Sequence, residues 1–200
     1  GDGIGDLNGL TSQLDYLNDG DPATTDDLGV SGIWLMPIMP SPTYHKYDVV
    51  DYMAIDPAYG TLDDFDAFIA AAEERGINVI IDLVLNHTSR EHPWFKSAVE
   101  ALQAGDIENP YIDYYHFSRE KSADFWYEAS PGWFYEGRFW SGMPDLNLGS
   151  EAVAGEFSEI IRLWLERGVA GFRLDAVKEF YSGDNPANID VLRQVNDTVK

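Results

Sequence analysis

The chain contains one arrangement twice. A stretch with apolar residues at helical spacing runs into Glu74-Arg75-Gly76 and then into Ile77-Asn78-Val79-Ile80-Ile81-Asp82-Leu83-Val84-Leu85. A second runs into Glu166-Arg167-Gly168 and then into Val169-Ala170-Gly171-Phe172-Arg173-Leu174-Asp175. Short, nearly continuous apolar runs behind a glycine are the pattern of strands covered on both faces. Helix followed by buried strand, twice over, implies a parallel sheet, because parallel neighbours need a crossover connection and the crossover is usually a helix. The α/β class is therefore expected.

The flanking pattern agrees. Leu10, Leu14 and Leu17 predict a first helix over residues 9–18, and an Asp-, Gly- and Thr-rich connector leads to an apolar strand over 30–35 that Pro37 and Pro40 close. Thr61 is placed to cap a second helix carrying Phe65, Phe68, Ile69 and Ala72 on one face, with Gly76 at its C-terminal end. A third helix carries Phe157, Ile160, Ile161, Trp164 and Leu165. Residues 88–150 break the alternation. They read as loop-rich, hold Trp94, Trp126, Trp133 and Trp140, and are expected to be an inserted subdomain or a functional excursion.

Both apolar strands carry an aspartate near the end, Asp82 and Asp175, where the loops of a parallel α/β fold build sites. Strand alternation puts Arg173 and Asp175 on one face, so the guanidinium can hold the carboxylate ionised. Two readings fit that spacing: a structural ion pair, or an oriented nucleophile of the kind a retaining glycosidase uses. Asn86-His87 leaves the first of these strands as a polar turn, and His87 can serve either the fold or a sugar hydroxyl. Tyr47 can pack in a core or stack on a pyranose ring. Asp2-Gly3-Ile4-Gly5-Asp6 offers oxygen ligands on a tight turn that would suit Ca²⁺, or a turn and helix cap.

Composition narrows the partners. With 13 Lys and Arg against 35 Asp and Glu, the net charge of −22 repels phosphate backbones and excludes nucleic acid as a partner. No apolar run reaches the roughly 18 residues of a membrane span. The absence of cysteine removes disulfides and thiol chemistry and fits either side of a membrane. The chain starts Gly1-Asp2-Gly3, ends at Val199-Lys200 within a helical pattern, and at 200 residues falls short of the roughly 250 of a complete (β/α)₈ barrel, so a piece of a longer chain is expected.

Taken together, the stretches resemble glycoside hydrolase family 13, the α-amylase family. Four blocks match in order: Gly1-Asp2-Gly3-Ile4-Gly5-Asp6-Leu7-Asn8-Gly9-Leu10, Tyr47-Asp48-Val49-Val50-Asp51-Tyr52, Asp82-Leu83-Val84-Leu85-Asn86-His87, and Gly171-Phe172-Arg173-Leu174-Asp175-Ala176-Val177-Lys178. Met143-Pro144-Asp145-Leu146-Asn147 resembles a fifth.

The resemblance implies a partial (β/α)₈ TIM barrel, about strands two to four with their helices. Residues 1–87 and 151–200 would be barrel and 88–150 an inserted, loop-rich domain B after the third strand. It implies retaining cleavage or transfer of α-glucosidic bonds in an α-glucan or maltooligosaccharide, with Asp175 as nucleophile and Arg173 as its orienting partner. Tyr47 would stack under the sugar, Asp82 and His87 would surround it, and Lys178 would touch the acceptor side. Asp2, the Ile4 carbonyl and Asp6 match the last three ligands of an N-terminal calcium loop. The acid/base glutamate and a further aspartate would follow later strands, outside these residues. Glu179 stands where many α-amylases have histidine, and the Met-Pro-Asp-Leu-Asn block is nearer members of mixed specificity. Amylase, oligosaccharide glucosidase and transglycosylase all remain compatible, as does a non-catalytic barrel that binds sugar or serves a transporter.

Overall fold

A computed structural model of the protein describes residues 4–200. Asp2, one of the expected calcium ligands, lies outside the described residues. The chain begins with α1 (Leu7–Thr11), α2 (Leu14–Leu17), β1 (Gly32–Leu35), α3 (Leu62–Glu74) and β2 (Asn78–Leu83). Then come α4 (Pro93–Ala104), β3 (Phe117–Ser118), β4 (Trp126–Ser130) and β5 (Trp133–Glu136), followed by α5 (Glu151–Glu166), β6 (Gly171–Leu174) and α6 (Asn185–Val199).

The alternation produces the expected parallel sheet, ordered β1-β2-β6, with Trp34 beside Ile80 and Asp82 beside Arg173. Thr61 caps α3 in a reciprocal capping box with Asp64. Gly76, at φ +67, takes the left-handed turn that lets the chain leave α3 and enter β2. One face of the sheet meets the helices: Ile81 and Leu83 share a fully buried core with Phe65 and Phe68 of α3 and with Ile160, Ile161 and Trp164 of α5. The Trp164 ring meets Phe65 edge to face at 5.2 Å, and its Nε1 donates to the Tyr52 carbonyl at 2.9 Å. The Tyr52 hydroxyl in turn lies 2.9 Å from the Val84 carbonyl and 2.8 Å from that of His87. Helix α5 is thereby tied to the turn that leaves β2.

Three expectations change. The first helix is two short ones, α1 and α2, because Ser12 turns its hydroxyl back onto the Gly9 carbonyl at 2.7 Å, and such local bonds compete with helix propagation. Strand β1 is half-exposed rather than buried, with Gly32 and Trp34 exposed, since among the described residues it pairs on one side only. Residues 88–150 are more ordered than loop-rich. Helix α4 buries Phe95, Ala98, Ala101 and Leu102, starts at Pro93 behind the His92 cap and ends at a left-handed Gly105. After it, β3, β5 and β4 form an antiparallel sheet in that order, with an irregularity between Glu128 and Ser130. The segment then returns to the end of β2 through the isolated bridge His87–Asp145.

Trp164→Phe keeps the ring and removes the donor to Tyr52, which should cost about 1–3 kcal/mol. Trp164→Ala should cost about 3–5 kcal/mol. Denaturant unfolding checks both, and a Trp164→Phe variant as stable as the parent would remove the hydrogen bond from this account.

Candidate active site

Period-two alternation puts Trp34, Asp82 and Arg173 on the face of the sheet opposite the helices, with Asp175 just past the end of β6. Their side chains converge. Arg173 Nη1 donates to Asp82 Oδ1 at 2.7 Å and to Asp175 Oδ1 at 2.5 Å, and lies 3.4 Å from the Tyr47 hydroxyl. The Trp34 indole donates to Asp82 Oδ2 at 2.9 Å, and the Tyr47 hydroxyl reaches the same oxygen at 3.4 Å. The guanidinium also sits 5.3 Å from the Trp34 ring centroid and 5.9 Å from that of Tyr47.

The two carboxylates are treated differently. Asp82 has a fully buried side chain with both oxygens engaged. The Asp175 side chain is 19% exposed, and its Oδ2 accepts no hydrogen bond among the described residues. Asp175 lines a cavity of about 260 Å³ with His45, Tyr47, His87, Phe139 and Met143. Lys46 and Ala176, the two non-glycine residues with positive φ (66° and 53°) among the described residues, flank Tyr47 and Asp175. Backbone conformations that side chains disfavour thus fall at the cavity, where the surrounding structure has to hold them.

Burial sets the charges. It pushes the Asp82 carboxyl above its ordinary range, against the downward pull of the Arg173 and Trp34 hydrogen bonds. The hydrogen bond to Asp82 raises Arg173 further, so the guanidinium stays charged. Tyr47 is raised by burial and then by Asp82. His87, 1% exposed, is held down to about 4 by burial, so its imidazole is neutral near pH 7. Its Nε2 is buried without a hydrogen-bond partner among the described residues, while Nδ1 lies 3.4 Å from the Asn86 side-chain amide.

Tyr47, Asp82, His87, Arg173 and Asp175 therefore come together as the sequence suggested. Lys178 does not join them. It is exposed on the short 3₁₀ turn Val177–Glu179, with no hydrogen bond or ion pair among the described residues. Asp6 is a helix cap, accepting the Gly9 amide at 2.6 Å, and Ile4 is 55% exposed. Among the described residues no group of three acidic or histidine side chains gathers for a metal.

Sequence reasoning missed Trp34, read only as strand filling. Its signal was position, since it lies on the same sheet face as Asp82. Phe139 and Met143 line the cavity from a turn with no periodicity to betray it. Asp145 was seen as a letter in a block, whereas it is 4% exposed and accepts from the Asn86 side-chain amide at 3.1 Å and the Arg138 backbone at 3.2 Å. Burial pushes it up to about 7, and Arg138 stands 3.8 Å away while pairing with Glu136 at 2.7 Å.

These groups set a pH dependence. Burial depresses His87 to about 4 and His92 to about 3, so the unfolded chain binds two more histidine protons below the ordinary value of 6.5. That contribution to stability is complete above pH 6.5 and is lost as pH falls towards 4. Asp145 has the opposite sign. Its raised value means that the folded protein keeps a proton which the unfolded chain releases above 3.8, a contribution lost as pH rises through 7. Between these limits each depressed histidine, His116 included, costs up to about 1.4 kcal/mol of stability per pH unit on acidification, and the raised Asp145 and Asp82 offset part of that loss. Asp145→Asn should steepen that loss. Unfolding curves from pH 7 to 4.5 measure it, and an unchanged slope would mean that Asp145 carries no proton there.

The same arrangement has relatives. Residues 1–200 match the alpha amylase catalytic domain. Alpha-amylase 3 of Dictyoglomus thermophilum is 46% identical over 92% of this chain and 35% of its own length. Maltase 1 of Drosophila virilis is 41% identical over 98% of this chain and 34% of its own. Among solved structures, Eubacterium rectale Amy13B superposes with a TM-score of 0.92 at 51% identity, covering 100% of this chain and 38% of that one. The alpha-amylase from H. orenii gives 0.86 at 48%, covering 100% and 42%. The chain spans about a third of the length of the curated relatives it matches. With a domain match over all 200 residues and an α/β fold that superposes on two solved structures at 51% and 48% identity, this chain belongs to the α-amylase family, glycoside hydrolase family 13.

Proposed function

We propose that the protein cleaves or transfers α-glucosidic bonds of starch-type oligo- and polysaccharides with net retention, and that Asp175 is the nucleophile. The observation that carries this reading is the unequal use of the two carboxylates. Asp82 is consumed by its partners, while Asp175 is pinned through one oxygen and offers the other to the cavity. Attack of Oδ2 on the anomeric carbon, opposite the scissile bond, forms a glycosyl ester as that C–O bond breaks and the leaving oxygen takes a proton from the acid/base. Water or an acceptor sugar, returning that proton, then displaces Asp175 from the face the leaving group vacated. The charged Arg173 holds and aims Asp175 through its Oδ1. Neutral His87, with an unpaired buried Nε2, suits a sugar hydroxyl, and Tyr47 offers a ring face to the pyranose. Lys178 is assigned to the acceptor side, where its free ammonium can reach a sugar beyond the cavity.

Retention needs a second carboxyl about 5–5.5 Å from the first. We place that acid/base, as the family resemblance implies, in chain beyond these 200 residues. Glu179 is no substitute, because it lines a different cavity with Asn86, Arg138 and Asp145. Glu166 ends α5, ahead of β6 rather than after it. On this reading residues 1–87 and 151–200 are barrel, and 88–150 are an inserted domain B whose turn at 139–143 walls the cavity.

Calcium stays a separate proposal. On this proposal Asp6 and the Ile4 carbonyl are two of the roughly six to eight oxygens Ca²⁺ takes, and Asp2 and preceding chain would supply others. In the complete enzyme, chelation should then lower the melting temperature, and an unchanged midpoint would remove Asp6 from the ligand set.

In the complete enzyme Asp175→Asn should lower kcat by several orders of magnitude while the melting temperature holds or rises. A pair serving only the fold gives the reverse: a loss of about 3–5 kcal/mol of stability with a modest kinetic change.

A further inference from the structure

We infer that Lys46 is a positioning residue: tethered to Asp56 outside the cavity, it fixes the turn that carries His45 and Tyr47 into the cavity, and so sets the affinity for a sugar it does not touch. The inference rests on the glycosidase reading above and adds a residue pair that the chemistry itself does not use.

The backbone at Lys46 has a φ of +66°, in the left-handed region that glycine enters freely and a residue with a Cβ does not. A side chain kept there has to be held by its surroundings. Lys46 is held by its own ammonium. Its Nζ donates to Asp56 Oδ2 at 2.7 Å, and lies 3.3 Å from the Ser41 carbonyl and 5.7 Å from the centre of the Tyr59 ring. The side chains of the pair are 14% and 9% exposed, so solvent screens the contact far less than it would an ion pair on the surface. Burial pushes the Asp56 carboxyl up, but the hydrogen bonds from Lys46 and the Ala58 amide outweigh it and hold the group below its ordinary value, so the carboxylate stays charged.

Asp56 is a fixed anchor. Its backbone N–H donates to the Ile38 carbonyl at 2.8 Å, just past β1, and its own carbonyl accepts from the Tyr59 amide at 2.8 Å. Its Oδ1 accepts from the Ala58 amide at 2.9 Å. The turn that Lys46 ties to this anchor is closed where Pro40 O accepts from Val50 N at 2.8 Å and Asp48 Oδ1 from the Ser41 hydroxyl at 2.6 Å. Between those closures lie the cavity residues. His45 and Tyr47, on either side of Lys46, both line the cavity beside Asp175, and the Tyr47 amide donates to His45 Nδ1 at 3.2 Å. The Tyr47 hydroxyl meets Asp82 and Arg173 only at 3.4 Å, too long to hold the turn unaided. The short, charged contact of this stretch with the scaffold is the one from Lys46.

Without the tether the turn samples more conformations, and only a fraction of the molecules present His45 and Tyr47 to a sugar. Apparent affinity falls by that fraction, while the reaction of a sugar once bound is untouched. KM therefore rises and kcat holds. A pair that served the fold alone gives the opposite pattern, with fewer active molecules and hence a lower kcat at unchanged KM.

The test measures kcat and KM of the complete enzyme for a short aryl α-glucoside, with melting temperatures alongside. Lys46→Gly removes the tether and relieves the backbone together, so the variant should stay folded, with KM raised about tenfold, for a competent fraction of about one in ten, and kcat within about twofold. Asp56→Asn keeps the acceptor for Ala58 but loses the charge, and should raise KM by a similar factor. In the Lys46→Gly background Asp56→Asn should add nothing, because the two substitutions break one contact. A folded Lys46→Gly enzyme with unchanged KM, whatever its kcat, would overturn the inference, as would KM effects that multiply in the double variant. Either result leaves the glycosidase reading intact. A wild-type enzyme with no α-glucoside turnover would overturn that reading itself, and this inference with it.

Discussion

One guanidinium bridges two carboxylates across neighbouring strands, and the rest of the cavity is arranged around it. The register of β2 with β6 places Arg173 beside Asp82, and alternation brings Asp175 to the same face. Without the cation, two like charges would face each other on a half-buried surface, a costly arrangement. With it, both have a partner, and their surroundings divide them. Trp34 and Tyr47 engage the remaining oxygen of Asp82, whereas that of Asp175 stays open to the cavity. Paired carboxyl groups with unequal environments are how a protein obtains two chemical roles from one functional group.

Keeping that arrangement in place falls to residues that never enter the cavity. Trp164 on α5 bonds the Tyr52 backbone, and the Tyr52 side chain reaches the carbonyl of His87. On the other flank Asn86 bonds Asp145, and the bridge between His87 and Asp145 joins the excursion over residues 88–150 to the end of β2. His87 is held between a core helix and that excursion, which explains how an imidazole with an unpaired nitrogen can be almost fully buried. An unsatisfied polar atom is expensive in a core and tolerable where a ligand completes it.

Much of this was legible in the sequence, for identifiable reasons. The parallel sheet followed from the repeated helix–strand units, and the Arg173–Asp175 contact from a spacing of two on a strand. The gathering of Asp82, His87 and Tyr47 was legible only through the ordered blocks of the family resemblance, since their separation along the chain carries no local signal. Helix α4 was overlooked because alanines supply half of its buried face, and alanine marks an apolar stripe weakly. The break between α1 and α2 was invisible because it depends on one serine hydroxyl choosing a backbone carbonyl. Trp34, Phe139 and Met143 were missed because nothing in a single sequence separates a side chain that faces a cavity from one that faces a core.

The central claim is that Asp175 forms a bond to sugar. The most direct measurement treats the complete enzyme with a fluorinated α-glucosyl reagent that is attacked normally but released slowly, and then identifies the labelled peptide by mass spectrometry. The account predicts one glucosyl adduct on Asp175, within Gly171-Phe172-Arg173-Leu174-Asp175, and products that keep the α configuration. A label on any other residue, or products of inverted configuration, would contradict it.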